Sequence, residues 1–412
     1  MKQRAFKVLR WSEKYTKTDM VYLARGAFWA NAEQLIQVIT GVILSIAFAN
    51  LVSREVYGQY AYISSIFGLL MISTLSGMES SVTRSVAQGN DGFIYSVVKL
   101  KLRWGMLGLF AGVVVGLYYF LKSSETLGYG ILIASLFVPL LSYRRVSSSY
   151  LYGKKEFRFL SLLNIVMQIV AAAALVSVLF FTDNLFLILL GYYLPLAISA
   201  LISFLIVIHR FHPNKNIDAD ALKYGKFLSW TRIFPMVRDN MDKIIVWNFL
   251  GPADVAVYAF AMAPVEKVKG VIGNIKTLAM PKMSQIDRDN IKNTLQGKIF
   301  RFTLLLIPLV IVYIIFIPFV FRWLYPQYLE SIVYSQILIL SVLFTPQLLY
   351  GAYFTAHKEK IAITINQTIL PVIRIVLVFI LGYFYGLFGI VFSRIIEQVI
   401  GSVFARYFFK RS

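Results

Sequence analysis

The sequence predicts an all-α polytopic membrane protein with twelve transmembrane helices in two halves of six. Composition, a run of bilayer-length apolar segments and a strict alternation of basic charge all point there. The chain has 412 residues, of which 58% are hydrophobic, 16% aromatic and only 15% charged. A soluble protein of this length would lack the polar side chains to cover its surface, whereas a lipid-embedded one needs few.

A helix needs roughly 20 mostly apolar residues to cross the hydrocarbon core. In the first half, segments of that kind occupy residues 26–50, 60–81, 104–121, 127–143, 159–181 and 185–208. A second set covers 227–249, 255–280, 302–321, 331–356, 361–384 and 387–408. The connections then fix the orientation, because Lys and Arg in short loops stay on the cytoplasmic side. The side shared by both termini carries 29 of the 41 Lys and Arg; Arg54, Lys122 and Arg322 alone fall on the other. The remaining 9 lie within spans. Both termini are therefore expected in the cytoplasm, and the net charge of +21 is first a topology signal. Basic residues scattered over seven short segments make no nucleic-acid patch.

Residues 1–20 are polar and basic, with no signal-peptide core, so the first span is expected to direct insertion. Phe6, Leu9 and Trp11, set among Lys2, Arg4, Lys7, Arg10 and Lys14, suit either a helix lying on anionic lipid or a solvated tail. The chain has no cysteine, which removes disulfides, thiolate chemistry and Cys-ligated metal.

The halves repeat each other. Val52-Ser53-Arg54-Glu55-Val56-Tyr57-Gly58-Gln59-Tyr60-Ala61 joins spans one and two, and Leu250-Gly251-Pro252-Ala253-Asp254-Val255-Ala256-Val257-Tyr258-Ala259 joins spans seven and eight. The turn, the small residue and the Tyr-Ala pair share one offset. Gly153-Lys154-Lys155-Glu156 and Ala356-His357-Lys358-Glu359 correspond in the same way. With six spans per half the duplication is parallel, its pseudo-two-fold axis along the membrane normal. The expected division is a basic N-terminal segment (1–20), a first lobe (21–208), a cytoplasmic linker (209–226) and a second lobe (227–412). His209, His212, Asp218 and Asp220 in the linker read as mixed charge on a solvated connector rather than as a metal or sugar-nucleotide site.

At these residues the chain resembles a known family. Asp242-Lys243-Ile244-Ile245-Val246, Phe249 to Val255 and Tyr258-Ala259 look like the span-seven to span-eight signature of the polysaccharide flippases, the Wzx-type O-antigen and exopolysaccharide carriers of the multidrug/oligosaccharidyl-lipid/polysaccharide exporter superfamily. Val52 to Tyr60 is similar to their first-half turn, with Val for the usual Leu and Arg for the usual Pro. Tyr150-Leu151-Tyr152-Gly153-Lys154-Lys155 is similar to the segment they carry after span four. The resemblance implies two six-helix lobes around a central cavity that opens alternately to each side. It further implies an undecaprenyl-diphosphate-linked glycan as cargo, membrane lipids as surroundings, and polymerase and chain-length proteins of one pathway as partners in the bacterial inner membrane. No cofactor, metal or nucleic acid is implied.

Ionisable groups within spans are costly and face a cavity or a partner. The basic set is Arg25, Arg232, Arg238, Lys243, Lys267, Lys269, Lys276, Arg374 and Arg394; the acidic set is Glu33, Glu79, Asp239, Asp242, Glu266 and Glu397. Local pairing is expected for Arg238 with Asp242, Asp239 with Lys243, Glu266 with Lys269 and Arg394 with Glu397. Arg25, Arg232, Lys267, Lys276 and Arg374 are left over as candidates for an anionic lipid phosphate. Arg232 and Arg374 are the favoured phosphate contacts, against interhelical salt bridges to Glu33 or Glu79. Arg25, Lys267 and Lys276 alternatively snorkel to headgroups. Glu33, Glu79, Asp239 and Asp242 are candidates for ion coupling.

Prolines 139, 195, 235, 264, 308, 318, 346 and 371 interrupt spans and are expected to kink them. Tyrosines and Trp323 at the outer span ends read as an interfacial belt, with sugar stacking as the alternative. No phosphate-cradling glycine loop, zincin His pair or Gly-x-Ser-x-Gly elbow is present. No outer connection is long enough for an enzyme's catalytic loop. Among transporters, a drug exporter should show excess acid in its cavity, and a lipid II flippase usually carries two further spans.

Overall fold

The computed structural model describes residues 20–283, 288–357 and 359–411, and the described residues are helical without a strand. Residues 1–19, with the expected interfacial helix, and the side chains of Arg25 and Lys276 lie outside the description.

The first lobe consists of α1 (Met20–Leu51), α2 (Arg54–Leu70), α3 (Met78–Ala87), α4 (Phe93–Leu121), α5 (Glu125–Leu136), α6 (Val138–Gly153), α7 (Phe157–Phe181) and α8 (Leu185–Phe211). Helix α9 (Ala219–Thr231) follows, and the second lobe continues with α10 (Ile233–Leu250), α11 (Pro252–Met283), α12 (Arg288–Leu324), α13 (Ser331–Leu338), α14 (Leu348–Ala356), α15 (Lys360–Thr364) and α16 (Leu370–Arg411). Eight described helices, counting contiguous pieces together, are long and apolar enough to cross a bilayer, and the pair α2/α3 makes a ninth. The last of the eight, Ile361–Arg411, holds 51 residues. At 1.5 Å per residue that is about 75 Å of helix, far more than one crossing. It reverses at Gly386, whose φ of 57° is open to glycine at little cost, and so supplies spans eleven and twelve. The two spans missed by hydropathy are α10 and α11, the most charged of the set. The count is twelve, in two six-helix lobes.

Breaks in the helices have sequence causes. The span expected at 60–81 is two helices bent by 47°, joined through a 3₁₀ turn at Met71–Thr74 and a left-handed Leu75. Pro346 cannot donate to the preceding turn, and it sits in a 3₁₀ run, Ile339–Gln347. Pro371 likewise withholds a donor, and the turn before it relaxes to a π-helix, Ile365–Ile369. Pro139 opens α6 after a break at Phe137.

The Lys- and Arg-rich connections, here the basic end, lie opposite the turns at 51–54, 250–252 and 324–331. At that opposite end the lobes close on each other through the two repeated segments. A Cβ on Gly58 would lie 1.9 Å from the Pro252 carbonyl oxygen, so the first-half turn sits directly against the second-half turn. Around it Ser45 and Tyr325 share a hydrogen bond of 2.8 Å, Asn50 donates to the Leu324 carbonyl at 3.0 Å, and Arg54 pairs with Glu330 at 3.3 Å. Tyr57 packs on Phe260 and Tyr62 stacks on Trp247, with ring centroids 4.7 and 4.5 Å apart. The aromatics expected as a belt therefore divide: Trp323 is 85% exposed, as a belt residue should be, whereas Tyr328 is 0% exposed inside the seam between lobes.

Gly58→Ala should force the seam apart, at a cost of about 1–3 kcal/mol for overpacking. The expected result is a lower melting temperature in detergent and faster maleimide labelling of a cysteine placed at Ser45. Unchanged melting and labelling would mean that the close approach does not hold the lobes.

Candidate functional site

The bend between α2 and α3 exposes backbone carbonyls that no helix satisfies, and in a bilayer such groups need an internal partner. Arg232, at the junction of α9 and α10, supplies one: its Nη1 donates to the Ser76 carbonyl at 2.8 Å and its Nη2 to Ser80 Oγ at 3.2 Å. Helix α9 is held beside it by Ser229, whose Oγ accepts from the Gly77 amide at 3.0 Å. Arg232 borders an open pocket of about 270 Å³ together with Glu79, Ser80, Thr83, Ser149 and Tyr152. Among the described residues Arg232 pairs with no carboxylate. Glu79 is already taken by Lys101 at 3.1 Å and Arg145 at 3.8 Å. Three cations thus gather around one carboxylate, and of the three Arg232 alone lines the pocket beside Glu79.

Lys101 and Arg145 belong to this group although both sit in segments expected to be cytoplasmic connections. For Lys101 a signal was available. It lies on one helical face with Gly105, Gly108, Gly112 and Gly116, at the spacing of a packed stripe, and that whole face is buried, Lys101 being 0% exposed.

The second lobe holds a buried ion network. Asp242 on α10, 2% exposed, accepts through Oδ2 from Tyr258 at 2.6 Å, from Arg394 Nε at 2.8 Å and from Arg374 Nη2. Arg394 also reaches Glu266 at 2.9 Å, and Glu397 binds Arg238 at 3.2 Å and Arg374 at 3.7 Å. Arg238 pairs with its neighbour Asp239, which is 58% exposed, at 2.9 Å. The expected pairs along single helices are replaced by pairs between helices, which join α10, α11 and both arms of α16. The structure sets Arg374 apart from Arg232: it is buried at 5% exposure against Asp242 and Glu397, not Glu33 or Glu79, and it borders neither described pocket.

The other candidates lie elsewhere. Glu33 accepts from Asn164 at 3.0 Å and Gln37 at 3.2 Å on the first-lobe side. Lys267 is exposed, its Nζ 2.9 Å from where a Cβ on Gly41 would stand, so it crosses from the second lobe to α1. Among the described residues no group of His, Asp and Glu is arranged to hold a metal ion.

Two six-helix lobes with polar pockets between and within them define a membrane transporter fold, and solved structures share it. A structure described as lipid II flippase MurJ in its inward closed conformation superposes with a TM-score of 0.74 at 17% identity, covering 94% of this chain and 87% of that one. The MATE multidrug transporter DinF-BH gives 0.67 at 14% identity, covering 96% of each chain. An inward-facing multidrug resistance MATE family transporter of the MOP superfamily gives 0.62 at 12%, covering 91% and 95%. A family model described as polysaccharide biosynthesis protein matches residues 23–287, and the chain belongs to that family. No curated protein matches the sequence.

Removing one side of a buried ion pair strands the other, at about 3–5 kcal/mol. Asp242→Ala, which takes from Arg374 and Arg394 their shared partner and leaves them only Glu397 at 3.7 Å and Glu266 at 2.9 Å, should lower the melting temperature more than Arg374→Ala, which leaves Asp242 with Arg394 and Tyr258. Equal or negligible losses would mean that the network carries little of the second lobe's stability.

Proposed function

We propose that the protein flips an undecaprenyl-diphosphate-linked oligosaccharide from the cytoplasmic to the outer leaflet of the bacterial inner membrane, for surface polysaccharide assembly. Both termini are cytoplasmic, and the lobes 21–208 and 227–412 rock about the linker 209–226 by alternating access. The observation that carries this reading is Arg232, a guanidinium that lines an open pocket and pairs with no carboxylate among the described residues. A guanidinium grips phosphate oxygens bidentately. Family membership supports the glycan part of the cargo. Transport requires no covalent step, and the chain acts as a carrier rather than an enzyme, passing its cargo to the polymerase and chain-length proteins of the same pathway.

Arg232 contributes the phosphate contact, and Lys267, exposed against α1, and Arg374, held in the buried network, are the further candidates. Arg25 and Lys276 lie outside the described side chains. Of these four carboxylates, Glu33 is held by the amides of Asn164 and Gln37 and is the one to exchange an ion; Asp239, Glu79 and Asp242 are paired with cations.

The fold shared with a lipid II flippase favours one further reading, in which lipid II itself is the cargo. Lipid analysis separates the two. Depletion of the protein should trap undecaprenyl-linked oligosaccharide in the inner leaflet while peptidoglycan synthesis continues; trapped lipid II would select the other reading. A charge-assisted hydrogen bond is worth about 1.5–3 kcal/mol, so Arg232→Ala should cut export roughly ten- to a hundredfold with Arg232→Lys intermediate. Normal export by Arg232→Ala at normal protein level rules the phosphate role out.

A further inference from the structure

The second lobe contains a cavity of about 380 Å³ at the basic end that the phosphate reading does not use. It falls within the roughly 300–1,000 Å³ range of small-molecule sites. Three prolines shape it. Pro235 lines it from α10; the 3₁₀ run around Pro346 contributes Thr345 and Gln347; the π turn before Pro371 contributes Asn366 and Gln367. Both irregular stretches break regular helical hydrogen bonding and turn polar side chains into one space, and π turns inside helices recur at functional sites. Gln398 and Ser402 complete the polar wall from the second arm of α16.

The chemistry of the lining is specific. Gln347, Asn366, Gln367 and Gln398 each present a donor and an acceptor side by side, and Thr345 and Ser402 add hydroxyls that do both. That set matches a polyhydroxylated ligand, whose every hydroxyl also donates and accepts. Phe344, Leu348, Phe354 and Ile363 supply the apolar remainder of the wall, against which the C–H face of a sugar ring packs. Two cations stand in the wall: Arg238 is held by Asp239 and Glu397, and Lys269 faces Glu266 one turn earlier on α11. The buried network behind the wall fixes Arg238 and Glu397, so the lining is held in place before a ligand arrives. Arg232 and Arg238 are about 9 Å apart along the helix at 1.5 Å per residue, so the two pockets flank the start of the same helix.

We propose that this cavity is the sugar subsite of the carrier, taking the glycan of the lipid-linked substrate while its diphosphate sits at Arg232. The inference rests on the flippase reading and adds to it the part of the cargo that selects between substrates. The absence of native cysteine allows a direct test. Ser402→Cys reports on the sugar cavity and Ser80→Cys on the Arg232 pocket, each in purified full-length protein in nanodiscs, labelled with maleimide. Three probes are compared: undecaprenyl diphosphate, undecaprenyl-diphosphate-linked oligosaccharide extracted from the source bacterium, and the oligosaccharide freed from it by mild acid.

The glycan-bearing lipid should slow labelling at both positions, by about tenfold at a probe concentration of roughly ten times its Kd. Bare undecaprenyl diphosphate should protect Ser80→Cys alone, and the freed oligosaccharide Ser402→Cys alone. Protection of Ser402→Cys by the bare lipid, or of Ser80→Cys only by the glycan-bearing one, overturns the sugar subsite and leaves the flippase reading standing. If none of the probes protects either position, the flippase reading itself fails and the subsite with it.

Discussion

Every polar group that a bilayer protein buries has to find its partner inside the protein, since the hydrocarbon offers none. The architecture follows from how this chain meets that demand. Where α2 breaks from α3, Arg232 donates to the freed Ser76 carbonyl. Where α10 and α11 are too charged to face lipid, they turn inward, and their ions are answered by Arg374, Arg394 and Glu397 from α16. The same constraint keeps the helix breaks at Pro346 and Pro371 on the protein side, where they line a cavity instead of meeting lipid.

The two lobes meet the demand differently. The first keeps its carboxylates in separate groups, Glu79 with Lys101 and Arg145 and Asp91 with Lys154, and leaves Arg232 without a carboxylate partner among the described residues. The second gathers its charges together: Arg238, Arg374 and Arg394 face Asp239, Asp242, Glu266 and Glu397 in a web that crosses several helices. Such a web contributes little net stability when intact, because desolvation offsets the Coulomb gain. Its effect is to make each partner dependent on the others across α10, α11 and α16.

Much of this was legible in the residues. Span number and the two-fold repeat follow from apolar length and from the positions of Lys and Arg, because the bilayer imposes both on any chain. Arg232 stands out in the sequence as a charge without a local partner, and among the described residues it pairs with no carboxylate. Which cation meets which carboxylate was not. Pairs at i,i+3 and i,i+4 were the expectation, but Arg394 turns from Glu397 to Asp242 and Glu266, and Arg238 from Asp242 to Glu397. Tertiary proximity between helices far apart in sequence decides that, and periodicity along one helix carries no trace of it. The bend at Leu75 was masked by the apolar length of its span, although Ser73, Thr74, Ser76 and Gly77 around it are a cluster of turn residues. Lys101 was misread because its loop-like neighbours masked the glycine stripe that points it inward.

The seam between lobes joins α2 to α11, which are counterparts in the internal repeat, so a surface meets its own duplicate. That is the geometry of an isologous contact, the kind that two identical subunits form about a two-fold axis. A face that meets its own copy is constrained from both sides at once, since any side chain added at Gly58 is met by Pro252 of the duplicate turn.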